Sequence, residues 1–269
     1  CGHFPGGNTP NPARGLAVQG PLARSASDLE LLFTLLCHAE GLDGKGWRAQ
    51  PPPPRFEQLA QARVGVLRLP DWVPVEASIL SAREALCCRL AARGARVTEL
   101  DARAWFGDFR EYYERYLVAL QCLLGGGLPA ATRAKAATKM RGYDDPFLAA
   151  AAEGLEAGAG RLVELLEAFE GYKLAWEQAF ERVDVILSPV CSVNAFPHDD
   201  GYFYDRTLAV DGVSMPYYRL SALPALATAA GLPATVFPTG DRDARGLPIG
   251  LQAMAAYFED RTALRFARL

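Results

Sequence analysis

The fold class is decided by three consecutive segments, RVGVLRL at 63–69, SILSAREALCCRLAA at 78–92 and RVTEL at 96–100. The first and the last are short and rich in β-branched and apolar residues, a composition typical of strands. The middle segment carries Ile79 and Leu86 on one face of a predicted helix. Strand, helix and strand in this order predict a βαβ unit, and therefore a parallel sheet with a right-handed crossover.

Residues 101–182 interrupt this strand pattern. Their apolar residues recur with helical spacing and predict four helices, at about 108–124, 129–141, 146–157 and 160–182. The following segment, VDVILSP at 183–189, is typical of a buried strand that ends in a loop, at the sheet edge where ligand sites form. We therefore predict that residues 101–182 form a helical cap inserted between strands.

The rest of the chain completes an α/β pattern. Residues 190–216 carry loop-like sequence, and a helix is predicted at about 217–230. Strands follow at 234–237 and 247–254, and a final helix begins near Asp260. The predicted fold class is α/β, with a mixed, mostly parallel sheet.

Composition argues against several kinds of partner and cofactor. The net charge of −3 and the pI near 5.7, with Lys and Arg scattered, give no surface for nucleic acid. The six cysteines form no C-x-x-C pair and only three histidines accompany them, so we expect no metal site, no disulfide framework and a reducing cytoplasm. The longest uncharged stretch, 116–132, is broken by Gly and Pro and is too short to span a bilayer.

Several separated segments resemble the amidase-signature family. They are CGHFP at 1–5, QGPLARSASD at 19–28, YKLAWEQAFERVDVILSP at 172–189, AGLPATVFP at 230–238 and GLPIGLQ at 246–252. These are similar to the stretch after the family's nucleophile, to its long helix running into a D-x-x-L-x-P strand, and to its two G-L-P strands. FPHD at 196–199 and VDGVSMPY at 210–217 favour its general acyl-amide hydrolases, while Thr228 departs from the Asn of many members.

The resemblance implies a fold and a chemistry. Residues 1–269 are similar to the C-terminal portion of one amidase domain, which is part of a three-layer α/β/α sandwich. The family hydrolyses carboxylic amides with a nucleophilic Ser, a cis-Ser and a Lys, and needs no cofactor. Its nucleophile precedes the segment matched by Cys1, and the chain contains no G-G-S-S-type loop. We therefore expect the catalytic residues upstream of Cys1, and we expect the chain alone to be inactive.

The resemblance also suggests which residues line the substrate pocket. Ser188 and Pro189 end a predicted strand, Phe196 follows a few residues later, and Ser221 and Ala225 lie one helical turn apart before a G-L-P segment. Structural alternatives are strand-end hydrogen bonding for Ser188, packing under a loop for Phe196, and core contacts for Ser221 and Ala225. If these residues wall one pocket, they should face a single concavity beside the N-terminal loop.

Other reactive side chains favour structural roles. Cys191 follows a strand but lacks a recognisable His partner, so a structural or pocket-wall thiol is the favoured interpretation. His3 and His198 lie in Pro-rich turns and do not suit a Lys-based mechanism. Arg24 and Asp28 are four residues apart at a helix start, a spacing typical of an ion pair or a cap.

Two other functions stay open from the sequence. One is the ammonia-generating subunit of a tRNA-dependent amidotransferase, which shares the fold and works in a complex. The other is a non-catalytic interaction protein derived from an amidase. In the favoured interpretation the partner is a small-molecule amide whose acyl and amine groups are undetermined, and a homodimer stays open.

Overall fold

The structure is a computed structural model that describes residues 16–18, 20–38, 45–46 and 48–269. Its helices are α1 (Ala26–Leu36), α2 (Ala77–Ala92), α3 (Arg103–Phe106), α4 (Phe109–Gly125), α5 (Ala130–Arg141), α6 (Pro146–Glu156), α7 (Ala159–Phe180), α8 (Ala222–Ala230) and α9 (Asp260–Arg268). Its strands are β1 (Arg63–Leu67), β2 (Arg96–Leu100), β3 (Val185–Pro189), β4 (Thr207–Val210), β5 (Val213–Pro216), β6 (Ala234–Arg242) and β7 (Pro248–Met254).

Five strands form the central sheet, in the order β2-β1-β3-β7-β6. β1 pairs in parallel with β2 and with β3, whereas β7 pairs antiparallel with β3 and with β6. Four of the five strands therefore run in one direction and β7 opposes them. The predicted α/β class with a mixed, mostly parallel sheet is confirmed.

The predicted βαβ unit is β1-α2-β2, with neighbouring parallel strands in register from Arg63 opposite Arg96 to Leu67 opposite Leu100. Gly65 is needed in the middle of β1. A Cβ atom at this position would lie 2.3 Å from Leu100 Cδ1, closer than two carbon atoms can approach. Glycine therefore lets Leu100 cover the strand.

Every residue of 101–182 is described, and its regular elements are the helices α3 to α7. This confirms the predicted helices. α6 begins at the N-cap Asp145, whose side chain accepts a hydrogen bond from Phe147 N at 2.9 Å. α4 and α6 pack closely because Gly154 lacks a Cβ, which would lie 2.3 Å from Val118 O.

Aromatic side chains join these helices to the rest of the fold. The ring centroids of Phe106 and Trp176 are 4.9 Å apart, and those of Tyr112 and Tyr172 are 4.3 Å apart. Tyr112 donates its hydroxyl proton to Leu226 O in α8 at 2.8 Å. A fully buried large apolar side chain contributes roughly 1.5–3 kcal/mol. The cluster therefore fixes α4 and α7 against α8.

Residues 190–216 are not all loop, so that prediction was wrong. They contain the antiparallel hairpin β4-β5, which turns at Asp211 and Gly212 with φ of 48° and 84°. Two consecutive positive φ values are the requirement of a type I′ turn, which the Asp-Gly pair favours. The strands have only four residues each. Such short strands carry too little periodicity to be recognised.

Two further boundaries differ from the prediction. The predicted helix at 217–230 consists of a 3₁₀ turn at Tyr217–Ser221 followed by α8. The strand predicted at 234–237 continues to Arg242 as β6, through Pro238. Proline is tolerated there because β6 lies at the edge of the sheet, where a missing N–H breaks no ladder.

Within the described ranges, no helix combines the length and the apolar character needed to cross a bilayer. The same residues contain no group of three or more His, Cys, Asp or Glu side chains that could hold a metal ion.

Candidate substrate-binding site

A cavity of about 980 Å³ lies between the α1 region, α7, α8, β6 and β7. Its volume is at the upper end of the range of ligand pockets, roughly 300–1,000 Å³. The walls are mainly apolar and include Leu16, Phe33, Phe169, Leu232 and Leu264. The hydrogen-bonding side chains in the wall are fewer: Glu167, Glu170, Lys173, Thr228, Thr235, Gln252, Tyr257 and Asp260.

The turn between α8 and β6 forms one wall. Gly231 ends α8 with φ of 64°, in the left-handed region that favours glycine. Leu232 N donates to Ala227 O at 2.9 Å and closes the helix end. A Cβ at Gly231 would lie 3.5 Å from the ring of Tyr257. Glycine thus lets the chain turn directly from α8 into β6 while Tyr257 closes over it.

Gln252 is a buried polar side chain in the opposite part of the wall. It lies on β7 directly across from Ser188 on β3, and only 3% of its surface is exposed. Its Nε2 donates to Ser188 Oγ at 2.8 Å and lies 3.4 Å from Pro189 O. The Ser188 hydroxyl lies 3.2 Å from the same carbonyl oxygen and donates to it. These bonds stabilise a carboxamide whose burial without partners would be costly.

A charged pair lies on the α7 side of the cavity. Lys173 Nζ is 2.7 Å from Glu170 Oε1 and 4.4 Å from the centroid of the Tyr257 ring. One helical turn along, Glu177 Oε1 accepts a hydrogen bond from Tyr257 N at 2.8 Å. The Lys173 side chain is 21% exposed, whereas that of Glu170 is 69% exposed. Glu177 and Lys173 therefore hold the Tyr257 loop against α7 from two sides.

The wall segments lie inside a match to a known protein family. The family profile described as Amidase matches residues 2–264, which is nearly the whole chain. The chain belongs to the amidase family. The resemblance found in the sequence motifs is thereby confirmed.

Individual amidase relatives agree with this assignment. The chain is 25% identical over 250 residues to indoleacetamide hydrolase of Bradyrhizobium japonicum, covering 93% of this chain and 50% of the relative. It is 24% identical over 278 residues to a glutamyl-tRNA(Gln) amidotransferase subunit of Corynebacterium glutamicum (strain R), covering 92% and 53%. The structure of the same kind of subunit from Thermotoga maritima matches with a TM-score of 0.67 and 18% identity, covering 93% and 51%, and this likeness shows the fold. The chain spans about half the length of the relatives it matches.

The five residues predicted to bind substrate occupy different environments. Ser188 is fully buried and contacts Gln252 of the cavity wall, and Pro189 precedes the wall residue Val190. Phe196 is 39% exposed and meets Tyr217 edge-on at 5.9 Å. None of the five, which also include Ser221 and Ala225, belongs to the lining of the 980 Å³ cavity. Residues 1–5, beside which they were expected, lie outside the described residues.

Ser221 belongs to a polar contact between the 3₁₀ turn and α4. Its Oγ is 2.8 Å from Tyr113 Oη and donates to Tyr218 O at 2.9 Å. Burial raises the pKa of Tyr113 far above its usual range, so the phenol stays protonated and can donate to Ser221. Ala225 is fully buried in α8. Ala227 and Thr228, two and three residues further, are the α8 positions that line the cavity.

Thr228 has a local hydrogen-bond partner despite its departure from the family's Asn. Its Oγ1 donates to Pro224 O, one helical turn earlier, at 3.0 Å. Its hydroxyl proton is therefore used inside α8 and is not directed to a ligand.

The described part of the chain offers no alternative to a family-type nucleophile. Lys173 pairs with Glu170, and Lys139 Nζ lies 3.5 Å over the ring of Tyr202, so neither ammonium group activates a serine there. Burial raises the pKa of the Cys191 thiol, which disfavours the reactive thiolate. These observations agree with structural roles for these side chains.

Sequence reasoning missed the polar residues that line the cavity. Gln252 ends the GLPIGLQ motif, and its amide in an otherwise apolar strand was the available signal. Lys173 lacks a neighbouring Gly/Ser loop, so no motif marks it as a site residue. Tyr257 lies beyond the motif, and only the packing of the β7-α9 connection on α7 brings it to the wall.

Proposed function

We propose that the whole protein hydrolyses carboxylic amides and that this chain supplies the pocket for the acyl part of the substrate. The observation that carries the proposal is the position of the two G-L-P segments. The first turns at the cavity wall and the second leads into the strand that carries Gln252. Apolar walls favour an apolar acyl group, since burial contributes roughly 25 cal/mol per Å². The few polar side chains would orient it.

The proposed catalytic residues are a nucleophilic Ser, a cis-Ser and a Lys, contributed by a part of the protein that this chain does not contain. The resemblance to the family and the greater length of the relatives support this. The Lys would remove a proton through the cis-Ser, and the nucleophilic Ser would attack the amide carbonyl. Backbone N–H groups would hold the oxyanion, and water would then hydrolyse the acyl-enzyme.

The test compares residues 1–269 with the full-length protein on simple aliphatic and aryl amides. We expect turnover by the full-length protein and none above background by the chain alone. Loss of a catalytic unit costs on the order of 10⁶-fold in a serine hydrolase. Turnover by the chain alone that Cys191→Ala or His198→Ala abolishes would overturn the proposal, because it would assign the chemistry to this chain.

The same assay separates the proposal from the amidotransferase alternative. A full-length protein that hydrolyses glutamine only with a second subunit, and no simple amide on its own, would favour that alternative. Ser188, Pro189, Phe196, Ser221 and Ala225 remain predicted pocket residues. They are tested by substitution in the full-length protein, with acyl groups of increasing size as substrates.

A further inference from the structure

Gln252 is the most deeply buried of the hydrogen-bonding side chains in the cavity wall. It is 3% exposed, whereas Thr235 is 7% exposed and the Lys173 side chain is 21% exposed. Thr228 uses its hydroxyl proton on Pro224 O. A buried amide facing an apolar cavity is the group with the largest power to discriminate between polar ligands, because water cannot replace a missing partner.

The hydrogen bonds of Gln252 fix which atom it can offer. A carboxamide has two N–H donors and one carbonyl acceptor. Nε2 directs its protons to Ser188 Oγ at 2.8 Å and towards Pro189 O at 3.4 Å. The reversed orientation would set Oε1 against the Pro189 carbonyl oxygen, and two acceptors repel each other. Among the described residues no donor bonds to Oε1, so this oxygen is the acceptor left for a ligand.

We infer that Gln252 Oε1 accepts a hydrogen bond from the N–H of the substrate's carboxamide and thereby selects amides over the corresponding esters. This inference rests on the proposed function. An ester presents an oxygen where the amide presents N–H, and a second acceptor opposite Oε1 is repelled. A site built to bond an N–H rejects analogues that lack it, because its own polar group is left unpaired.

Ser188 acts on this selection through Gln252. Its Oγ accepts from Nε2 and its proton goes to Pro189 O, so it holds the carboxamide plane in one orientation. Ser188 is thus a positioning residue, fully buried behind the side chain that meets the substrate.

The test uses the full-length enzyme with pairs of substrates, the primary amide and the methyl ester of one carboxylic acid. Gln252→Met keeps the approximate shape and removes the strong acceptor. We expect it to lower kcat/KM for the amide about tenfold or more while leaving kcat/KM for the ester unchanged or higher. Ser188→Ala should change the amide-to-ester ratio in the same direction but less. Thr228→Val is the matched control and should leave the ratio unchanged.

The outcomes separate the two proposals. A Gln252→Met enzyme that loses amide and ester turnover equally has lost only packing, and this overturns the inference, as does an unchanged ratio. If Gln252→Met fails to fold, as judged by circular dichroism, the ratio measured for Ser188→Ala decides instead. A wild-type enzyme that hydrolyses no amide refutes the proposed function itself.

Discussion

Replacing Asp184 should destabilise the fold far more than replacing a surface acid. Asp184 lies directly before β3 and is 4% exposed. Its carboxylate accepts from Arg63 N at 2.8 Å, from Arg63 Nε at 3.1 Å and from Arg63 Nη2 at 2.6 Å. Its own N–H donates to Arg63 O at 2.8 Å. This pair joins the starts of β1 and β3, and therefore supports the register that carries Ser188.

The magnitude follows from how far each partner is buried. Removing one partner of a fully buried ion pair costs about 3–5 kcal/mol. The Arg63 side chain is 34% exposed and can recover part of its hydration. We therefore expect Asp184→Ala to lower the free energy of unfolding by about 2–3 kcal/mol. Asp184→Asn keeps one acceptor oxygen and the shape, so about 1 kcal/mol is expected.

Urea unfolding followed by circular dichroism measures both changes. The midpoint should fall while the m-value stays constant, since the surface exposed on unfolding hardly changes. Glu164→Ala is the control, because it removes a pair with Arg161 in which the two side chains are 65% and 41% exposed. Such exposed pairs contribute about 0–1 kcal/mol. The reasoning fails if Asp184→Ala costs no more than Glu164→Ala, or if Asp184→Asn costs as much as Asp184→Ala.

Other predictions test the pocket and a surface contact. Ala225→Trp should overpack the core by about 1–3 kcal/mol and lower turnover of all substrates alike, whereas Ala227→Trp should selectively exclude bulky acyl groups; the opposite order in an acyl-length series would return Ala225 to the pocket wall. The Tyr143 hydroxyl donates to Asp205, which raises the pKa of Tyr143 to about 12. Because the folded pKa is the higher one, this contact is fully present below about pH 10 and is lost as the pH rises through 12. Asp205→Asn should lower the pH at which Tyr143 ionises in an ultraviolet titration, and an unchanged titration would contradict the assigned contact.

The local elements could be predicted from the sequence because their signals lie within neighbouring residues. The β1-α2-β2 unit combines two short apolar runs with a helical stripe, and its bounds agree with the prediction to within two residues. The helices of 101–182 were predicted for the same reason. The family was indicated by the order of short motifs along the chain, and the profile match agrees with it.

Tertiary structure alone decided the position of β7 and the composition of the candidate site. β7 lies between β3 and β6, and this arrangement brings Gln252 to Ser188 across 64 residues of sequence. Likewise, Tyr257 reaches Lys173 only through packing on α7. Helical and strand periodicity records which face of one element is buried, but not which other element covers it. The sequence by itself therefore determined the elements, the α/β class and the family of this protein. The cavity and its polar groups depended on contacts between distant segments, which no local pattern encodes.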